Sequence, residues 1–278
     1  MIRYKLFLMN IYNFIFAVVQ YFYYRAIKNK SLIRASKKNY KQIPIIIINY
    51  NQLFYLKKMV DALVHRGYKN IVIIDNNSTY PPLKEYYKSL NPEYITLELQ
   101  KDNMGHMVFF KKKELLQKYA TKGYYMLTDA DIVPNVNLPE DFALKLINIM
   151  EKYHFNITKV GFALRIDDIP SFYPLKNNVL KWEAKYWQNQ IGPQLFEADV
   201  DTTFALYKPY YCKRFYENSF MKGIRVAGDF TAQHGGWYIN PELMTEEQAY
   251  YFKTVNSSSS WIFNSDGDII KKQSNLNY

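Results

Sequence analysis

Short apolar runs alternate with segments of helical periodicity along the first half of the chain. The runs fall at residues 43–48, 71–74, 95–99 and 124–127, and most of the segments between them repeat apolar residues every three or four positions. The first run is almost purely β-branched, which is typical of a central strand that is buried on both faces. Strands that alternate with helices at short spacing predict an α/β fold with a mostly parallel sheet flanked by helices.

The second half of the chain is less regular. Strands are predicted at 160–164 and 203–207, and helices at 139–152 and 244–255. Residues 175–200 are aromatic and polar without clean periodicity, and the glycines within 222–240 predict mostly loop. We therefore expect three parts: an apolar and basic segment at 1–42, a sheet domain at 43–265 and a tail at 266–278.

Polar residues follow all four apolar runs of the first half. The carboxyl ends of parallel strands meet at one edge of a sheet, and open α/β sheets bind their ligands there. A single such cluster is ordinary turn chemistry, since Asn and Asp favour turns, but four clusters at one edge favour a shared binding site. The residues concerned are Asn49, Asn51, Asp75, Asn77, Asn103, Asp129 and Asp131.

The fourth run ends in Thr128-Asp129-Ala130-Asp131. Two carboxylates one residue apart repel each other unless a cation lies between them. Mg²⁺ and Mn²⁺ prefer such oxygen ligands and share them with the phosphates of a nucleotide. The triplet on its own also occurs in plain surface loops, so its interpretation depends on the neighbouring strand ends.

The net charge of +11 is concentrated at the N-terminus, where eleven basic residues precede the first acidic residue, Asp61. The rest of the chain has 25 basic and 25 acidic residues and is neutral. Residues 6–24 are strongly apolar, which leaves three alternatives: a membrane-spanning helix, an interfacial helix held by anionic lipid, or a helix packed on the core. The first two place the domain at the cytoplasmic face of a membrane, because a Lys/Arg excess follows the segment. No nucleic-acid-binding motif accompanies the basic residues.

Four motifs, IPIIIINYN, IVIIDNNST, DNMGH and TDADIVP, resemble family 2 and related glycosyltransferases of the GT-A fold. The resemblance is specific over about residues 43–135 and looser through TTFALY and HGGWY. It implies that Asn49, Tyr50, Asn51, Asp75 and Asn77 hold the nucleotide base, and that Asn103 and Gly105 lie beside the nucleoside. It also implies that Asp129 and Asp131 hold the diphosphate through Mn²⁺ or Mg²⁺. The chain departs from the family where the second strand end runs into Tyr80-Pro81-Pro82.

Three further residues are candidates for the chemistry of transfer. An inverting transferase needs a carboxylate base for the acceptor hydroxyl, and Asp201 suits that role by its position after the D-x-D. The alternative is that Asp201 is a turn acid before a strand. Asp168, beside Asp167, is a second candidate at the acceptor side. His234 fits a third metal ligand by position, and the alternative is a hydrogen-bonded structural histidine.

The sequence thus predicts a metal-dependent glycosyltransferase with a nucleotide-sugar donor, UDP being the expected carrier. Inversion with Asp201 as the base is the expected stereochemistry, and the alternative is a retaining enzyme, which would need no such base. The expected acceptor is a glycan or glycolipid of bacterial-type surface polysaccharide or lipooligosaccharide synthesis. A nucleotidyltransferase is the alternative enzyme, although the Gly-rich basic loop of that class is replaced here by Asn49-Tyr50-Asn51-Gln52. A non-catalytic scaffold at the membrane surface is the alternative outside enzymology.

Overall fold

A computed structural model describes residues 31–153, 157–201, 203–208 and 221–255, the strand residues 261–263 and 269–272, and the helical positions 11, 15, 18 and 22. The predicted N-terminal apolar helix otherwise lies outside the described residues. Its four described positions, Ile11, Ile15, Val18 and Phe22, are helical with exposed side chains. None of the helices that the structure describes has the length and apolarity that a membrane span requires.

The strands, in chain order, are β1 (Ile45–Asn49), β2 (Ile71–Asp75), β3 (Ile95–Leu99), β4 (Tyr125–Asp129), β5 (Ile132–Pro134), β6 (Lys159–Phe162), β7 (Gln190–Gly192), β8 (Leu195–Asp199), β9 (Ala205–Tyr207), β10 (Lys222–Val226), β11 (Ala232–His234), β12 (Trp261–Phe263) and β13 (Ile269–Lys272). The helices are α1 (Ser31–Lys38), α2 (Phe54–His65), α3 (Pro81–Lys88), α4 (Val108–Lys111), α5 (Lys113–Tyr119), α6 (Phe142–Tyr153), α7 (Lys176–Ala184) and α8 (Glu246–Thr254).

Nine strands form the main sheet in the order β3-β2-β1-β4-β9-β6-β10-β8-β7. The first four pair in parallel, and β6 pairs in parallel with β10. The antiparallel pairs involve β8 and β9, so the remaining strands all run in one direction. The expected α/β fold with a large, mostly parallel sheet flanked by helices is confirmed.

Helices cover both faces of this sheet, and β1 shows how. Ile45 and Ile47 belong to the apolar core that contains Leu56 of α2 and Phe142 of α6. Ile46 and Ile48 point to the other face and join the core with Phe109 of α4. A strand whose every side chain is buried must carry apolar residues without alternation, which explains the uninterrupted β-branched run.

Three segments differ from the sequence prediction. The polar, basic residues 25–42 favour a linker, but they contain α1, whose Ile33 is buried in the core and whose Lys37 pairs with Glu151 of α6. The expected loop at 222–240 contains β10 and β11. Pairing of β10 with β6 and of β11 with β5 stabilises these strands despite the glycine-rich composition. Strand β13, which pairs with β12, lies within the predicted tail.

Candidate active site

A cavity of about 450 Å³ opens at the carboxyl ends of β1 and β4. Part of its wall comes from the loops that follow β1, β2, β3 and β4. A second part comes from α7, the residues just after it, β10 and the segments beside β6, β8 and β9, and a third part comes from residues 234–239 and α8. The cavity therefore spans the sheet from the parallel strands to the mixed strands, and it brings together residues that lie far apart in sequence.

The two acids of the D-x-D face this cavity. Asp129 is the last residue of β4, and the Ala130 amide continues the ladder by donating to the Ile48 carbonyl at 3.1 Å. Asp129 and Asp131 both line the cavity, and Ala130 between them is buried. The turn at residues 130–131, which joins β4 to β5, thus brings both carboxylates to the same cavity.

His234 lies next to Asp131 because β11 pairs with β5, with His234 opposite Ile132. The His234 Nδ1 atom is 3.5 Å from Asp131 Oδ2, and the Gly235 amide donates to the Asp131 carbonyl at 2.7 Å. The imidazole stacks on Trp237, with ring centroids 4.8 Å apart. The Nδ1 atom is buried and has no hydrogen-bond partner among the described residues. Its lone pair or proton is therefore available to a ligand beside Asp131.

These residues fit part of a divalent-metal site. A carboxylate and an imidazole whose Nδ1 atom has no hydrogen-bond partner among the described residues are ligands that Mn²⁺ accepts. No group of three metal-ligating side chains is assembled within the described residues, so the protein would contribute fewer ligands than a closed structural site. Phosphate oxygens and water would complete the coordination, as is usual for Mg²⁺ and Mn²⁺ sites that bind nucleotides.

The residues at the carboxyl ends of β1 and β2 divide into three groups. Tyr50 lines the cavity and donates its hydroxyl proton to the Thr254 carbonyl at 2.7 Å. The buried side chains of Asn49, Asn51 and Asp75 face the interior and bond to the protein. Asn77, at φ 65°, is exposed and is outside the described cavity lining.

The inward-facing group forms a network that fixes the loops. The Asp75 carboxylate accepts from the Ser78 amide at 2.9 Å and from the Tyr87 hydroxyl at 2.8 Å. The side-chain amide of Asn49 donates to the same Tyr87 hydroxyl. Asn51 accepts from the Thr79 amide at 2.7 Å, so the ends of β1 and β2 hold each other in place. These three residues shape the loops of the candidate nucleotide pocket from behind.

Asn76 faces the pocket but was not anticipated from the sequence. It lines the cavity, donates to the Gly105 carbonyl at 2.9 Å and accepts from the Met104 amide. Asn103 accepts from the Gly105 amide at 3.0 Å, and Gly105 has a φ of 74°, which favours glycine. Asn103 and Gly105 therefore line the cavity as expected, in a loop that Asn76 anchors.

The two candidate bases lie in different surroundings. Asp201 lines the cavity from the segment that follows β8. Asp168 pairs with Arg165 and accepts from the Tyr238 hydroxyl, and it is not among the described residues that line the cavity. Asp201 is thus the candidate base that shares a cavity with the D-x-D.

Helix α8 lines one side of the cavity and is tied to the loop after β1. The side-chain amide of Asn51 donates to the Thr254 hydroxyl at 2.9 Å, and the backbone amide of Leu53 donates to the Glu247 carboxylate at 2.9 Å. Glu247 and Tyr251 also line the cavity. Glu247 caps the N-terminus of α2, where a carboxylate is electrostatically favoured.

A buried ion pair in the cavity wall was also missed. Arg225 Nη1 lies 2.6 Å from Glu183 Oε2, and both side chains are only 3% exposed. Burial raises the pKa of Glu183, and the neighbouring Arg225 opposes that shift. The pair comes from α7 and β10, in stretches where the sequence has no clear periodicity.

Two other titratable groups line the cavity. Burial raises the pKa of Tyr55 to about 12, with further contributions from Asp131 and Glu247, so its phenol stays protonated at neutral pH. Burial lowers the pKa of His106, while Asp201 opposes that shift. Both groups therefore favour their uncharged forms.

Comparison with known proteins gives likenesses of fold only. No protein-family model matches the sequence, and no curated protein matches it. Among solved structures, a mannosyltransferase from Pyrobaculum calidifontis in complex with GDP-Man and Mn²⁺ is 15% identical, with a TM-score of 0.44 over 76% of this chain and 60% of that one. GalNAc-T7 with UDP, GalNAc and Mn²⁺ is 13% identical, with a TM-score of 0.44 over 70% of this chain and 45% of that one.

S. aureus TarS is 13% identical, with a TM-score of 0.43 over 77% of this chain and 40% of that one. These neighbours are glycosyltransferases of the GT-A fold. The chain spans less than two thirds of each of the three structures, as the 60%, 45% and 40% coverages show. Similarity at this level does not assign an activity or a ligand to this chain, which must be argued from its own site.

Proposed function

We propose that this chain is a metal-dependent glycosyltransferase that moves a sugar from a nucleotide donor, UDP being the expected carrier, to a hydroxyl of an acceptor. The observation that supports it most is the single cavity that holds Asp129, Asp131 and His234 at one part of its wall and Asp201 at another. A transferase needs both a site for the leaving diphosphate and a base for the incoming hydroxyl in one enclosed space.

The charge of the cavity supports the metal requirement. Its described lining contains one arginine or lysine, Arg225, which already pairs with Glu183. Against it stand five carboxylates: Asp129, Asp131, Glu183, Asp201 and Glu247. A diphosphate would be repelled from such a wall unless a divalent cation entered with it.

Asp131 and His234 would hold Mn²⁺ or Mg²⁺, with Asp129 beside them, and the imidazole favours Mn²⁺. When bound, the cation would supply charge stabilisation to the leaving diphosphate. Tyr50, Asn103 and Gly105 would contact the nucleoside. Asn49, Asn51, Asp75 and Asn77 belong to the loops that shape this pocket.

Asp201 would accept the proton of the acceptor hydroxyl, which corresponds to inversion at the anomeric carbon. Because Asp168 is engaged by Arg165 and Tyr238, we assign it a role in holding the loop after β6 rather than in proton transfer.

We also propose that the acceptor is a glycan or glycolipid of surface-polysaccharide or lipooligosaccharide synthesis, and that the enzyme works at the cytoplasmic face of a membrane. The support is the charge distribution, since the whole basic excess lies in residues 1–60. Anionic lipid attracts such segments.

Donor hydrolysis tests the proposed activity. Full-length protein with Mn²⁺ should release UDP slowly from at least one UDP-sugar of a panel, and Asp131→Ala should reduce the rate by about 10²-fold or more. Asp61→Ala, an exposed acid on α2, is the matched control and should leave the rate unchanged. Absence of both binding and hydrolysis for every UDP- and GDP-sugar would refute the proposal. Asp201→Asn should keep hydrolysis but lose transfer.

A further inference from the structure

The cavity wall that α7 and β10 form is built around the Glu183–Arg225 ion pair. Three contacts fix Arg225: its Nε donates to the Asp199 carbonyl at 2.8 Å, its Nη1 pairs with Glu183, and its guanidinium lies 3.8 Å from the centre of the Tyr186 ring. Removing two charges from water is costly, so a buried pair is weak evidence for stability. This pair lines the cavity instead of the apolar core, which points to a role toward a ligand.

Aromatic and aliphatic groups surround the pair. Trp182 and Tyr186 line the same wall and contact each other edge to face, with centroids 6.2 Å apart. Leu164 and Val179 complete an apolar surface beside them. A few fixed polar groups among aromatic side chains are typical of small-molecule sites. A sugar ring matches this arrangement, because it presents apolar C–H faces and a rim of hydroxyl groups.

The charges of this wall discriminate between kinds of sugar. Glu183 and Asp201 both face the cavity here, Arg225 pairs with Glu183, and Lys185 Nζ lies 3.0 Å from the centre of the Trp182 ring. His106, which lies near Asp201, has its pKa lowered by burial. The two described acids are thus matched by two described cations, so a carboxylate or phosphate on the ligand would gain no net attraction, whereas hydroxyl groups could donate to Glu183 and accept from Arg225.

We propose that Trp182, Glu183, Tyr186 and Arg225 form the acceptor-sugar subsite, and that it takes an uncharged sugar. The proposal rests on the proposed transferase function and names the acceptor class for the same cavity. Asp199, whose carbonyl holds Arg225, is two residues before Asp201. The subsite therefore places the acceptor hydroxyl on the same chain segment as the base.

Matched acceptors test the subsite in the full-length enzyme with Mn²⁺ and an active donor. The panel contains octyl hexosides and octyl N-acetylhexosaminides, each hexoside beside its octyl uronide. We expect kcat/KM for the uncharged acceptor to exceed that of its uronide by about tenfold or more. Glu183→Gln keeps the side-chain shape but frees the Arg225 charge, so the preference should shift toward the uronide. Glu197→Gln, an exposed acid on β8, is the control and should not shift it.

A second variant tests the subsite even if Glu183→Gln fails to fold. Tyr186→Leu removes the ring under Arg225 and should raise the acceptor KM several-fold with a smaller change in kcat, whereas Glu197→Gln should leave both the acceptor KM and donor hydrolysis unchanged. Transfer to uronides or phosphosugars in preference to uncharged sugars would overturn the proposal. So would an enzyme that hydrolyses its donor but uses no uncharged acceptor, or a Glu183→Gln variant with unchanged preference. If the wild-type chain hydrolyses no donor, that result refutes the proposed transferase function and not the subsite alone.

Discussion

At the scale of single residues, Lys159 is a buried lysine within the main sheet. Its side chain is fully buried on β6, with Nζ 3.3 Å from the Tyr207 hydroxyl. Burial lowers the pKa of Lys159 to about 7, Asp201 and Asp199 oppose that shift, and Arg225 adds to it. Between about pH 7 and the ordinary lysine pKa of about 10.4, the unfolded chain therefore binds a proton that the folded chain releases.

Stability should consequently rise with pH in this window. The wild type is expected to gain up to about 1 kcal/mol per pH unit at this residue, and Lys159→Met should lack that gain. The variant should therefore have its largest relative stability at or below about pH 7 and lose that advantage toward about pH 9. Urea unfolding at several pH values measures the difference. Lys181→Met, an exposed control, should give a pH dependence parallel to the wild type, and a parallel result for Lys159→Met would contradict the pKa shift.

Single residues also show where sequence reasoning ends. The strand ends were predictable because β-branched runs followed by Asn or Asp identify them, and Asp129, Asp131 and Asp201 do line the cavity. The direction of each side chain was not predictable. The Asn51 side chain turns inward because its backbone has a φ of 50° and its Oδ1 atom accepts from the Thr79 amide in the loop after β2. Only the assembled sheet creates this contact.

At the scale of elements, Val200, which follows β8, packs against the sheet. Val200 is fully buried, and its amide donates to the Met221 carbonyl at 2.8 Å. A Cβ atom on Gly161 of β6 would lie 2.7 Å from Val200 Cγ1, and one on Gly223 of β10 would lie 2.7 Å from Val200 Cγ2. Both glycines thus make room for Val200, which directly precedes Asp201.

Gly161→Ala should displace the segment that contains Val200 and Asp201. Overpacking of this kind costs about 1–3 kcal/mol of stability, and it should lower sugar transfer more than donor hydrolysis because Asp201 moves. Combining it with Val200→Ala removes the closest contact, so the double variant should be at least about 0.5 kcal/mol more stable than the two single effects predict. Gly192→Ala meets only ordinary contacts and serves as the control. Additive effects in the double-mutant cycle would show that Val200 does not need the space at Gly161.

Elements without local periodicity account for what the sequence could not provide. Strands β7 and β8 form a hairpin at the sheet edge, and β10 inserts between β6 and β8. Their residues are stabilised by pairing with distant strands, so neither alternation nor composition identified them. Glu183 and Arg225 were missed for the same reason, since their contact joins α7 to β10 across 42 positions.

At the scale of the whole molecule, charge is separated from the site. The basic excess lies in residues 1–60, while the described cavity lining is rich in carboxylates. An acidic cavity would not be drawn to an anionic membrane surface, but a basic segment outside it would. The separation fits the proposed function, in which the basic segment would bind a lipid surface and the cavity would bind the donor together with a cation.

Charge-matched variants of the full chain test this membrane role. Replacing Arg25, Lys28 and Lys30 with Gln should weaken binding to vesicles of phosphatidylcholine and phosphatidylserine by about tenfold or more, because each basic residue contributes near an anionic surface. Replacing the exposed Lys152, Lys181 and Lys253 removes the same charge elsewhere and should have little effect. The difference should vanish at high salt, since screening shortens the range of the attraction. Equal losses in both variants would assign the binding to net charge alone, and equal binding to pure phosphatidylcholine vesicles would assign it to apolar burial of the N-terminal segment.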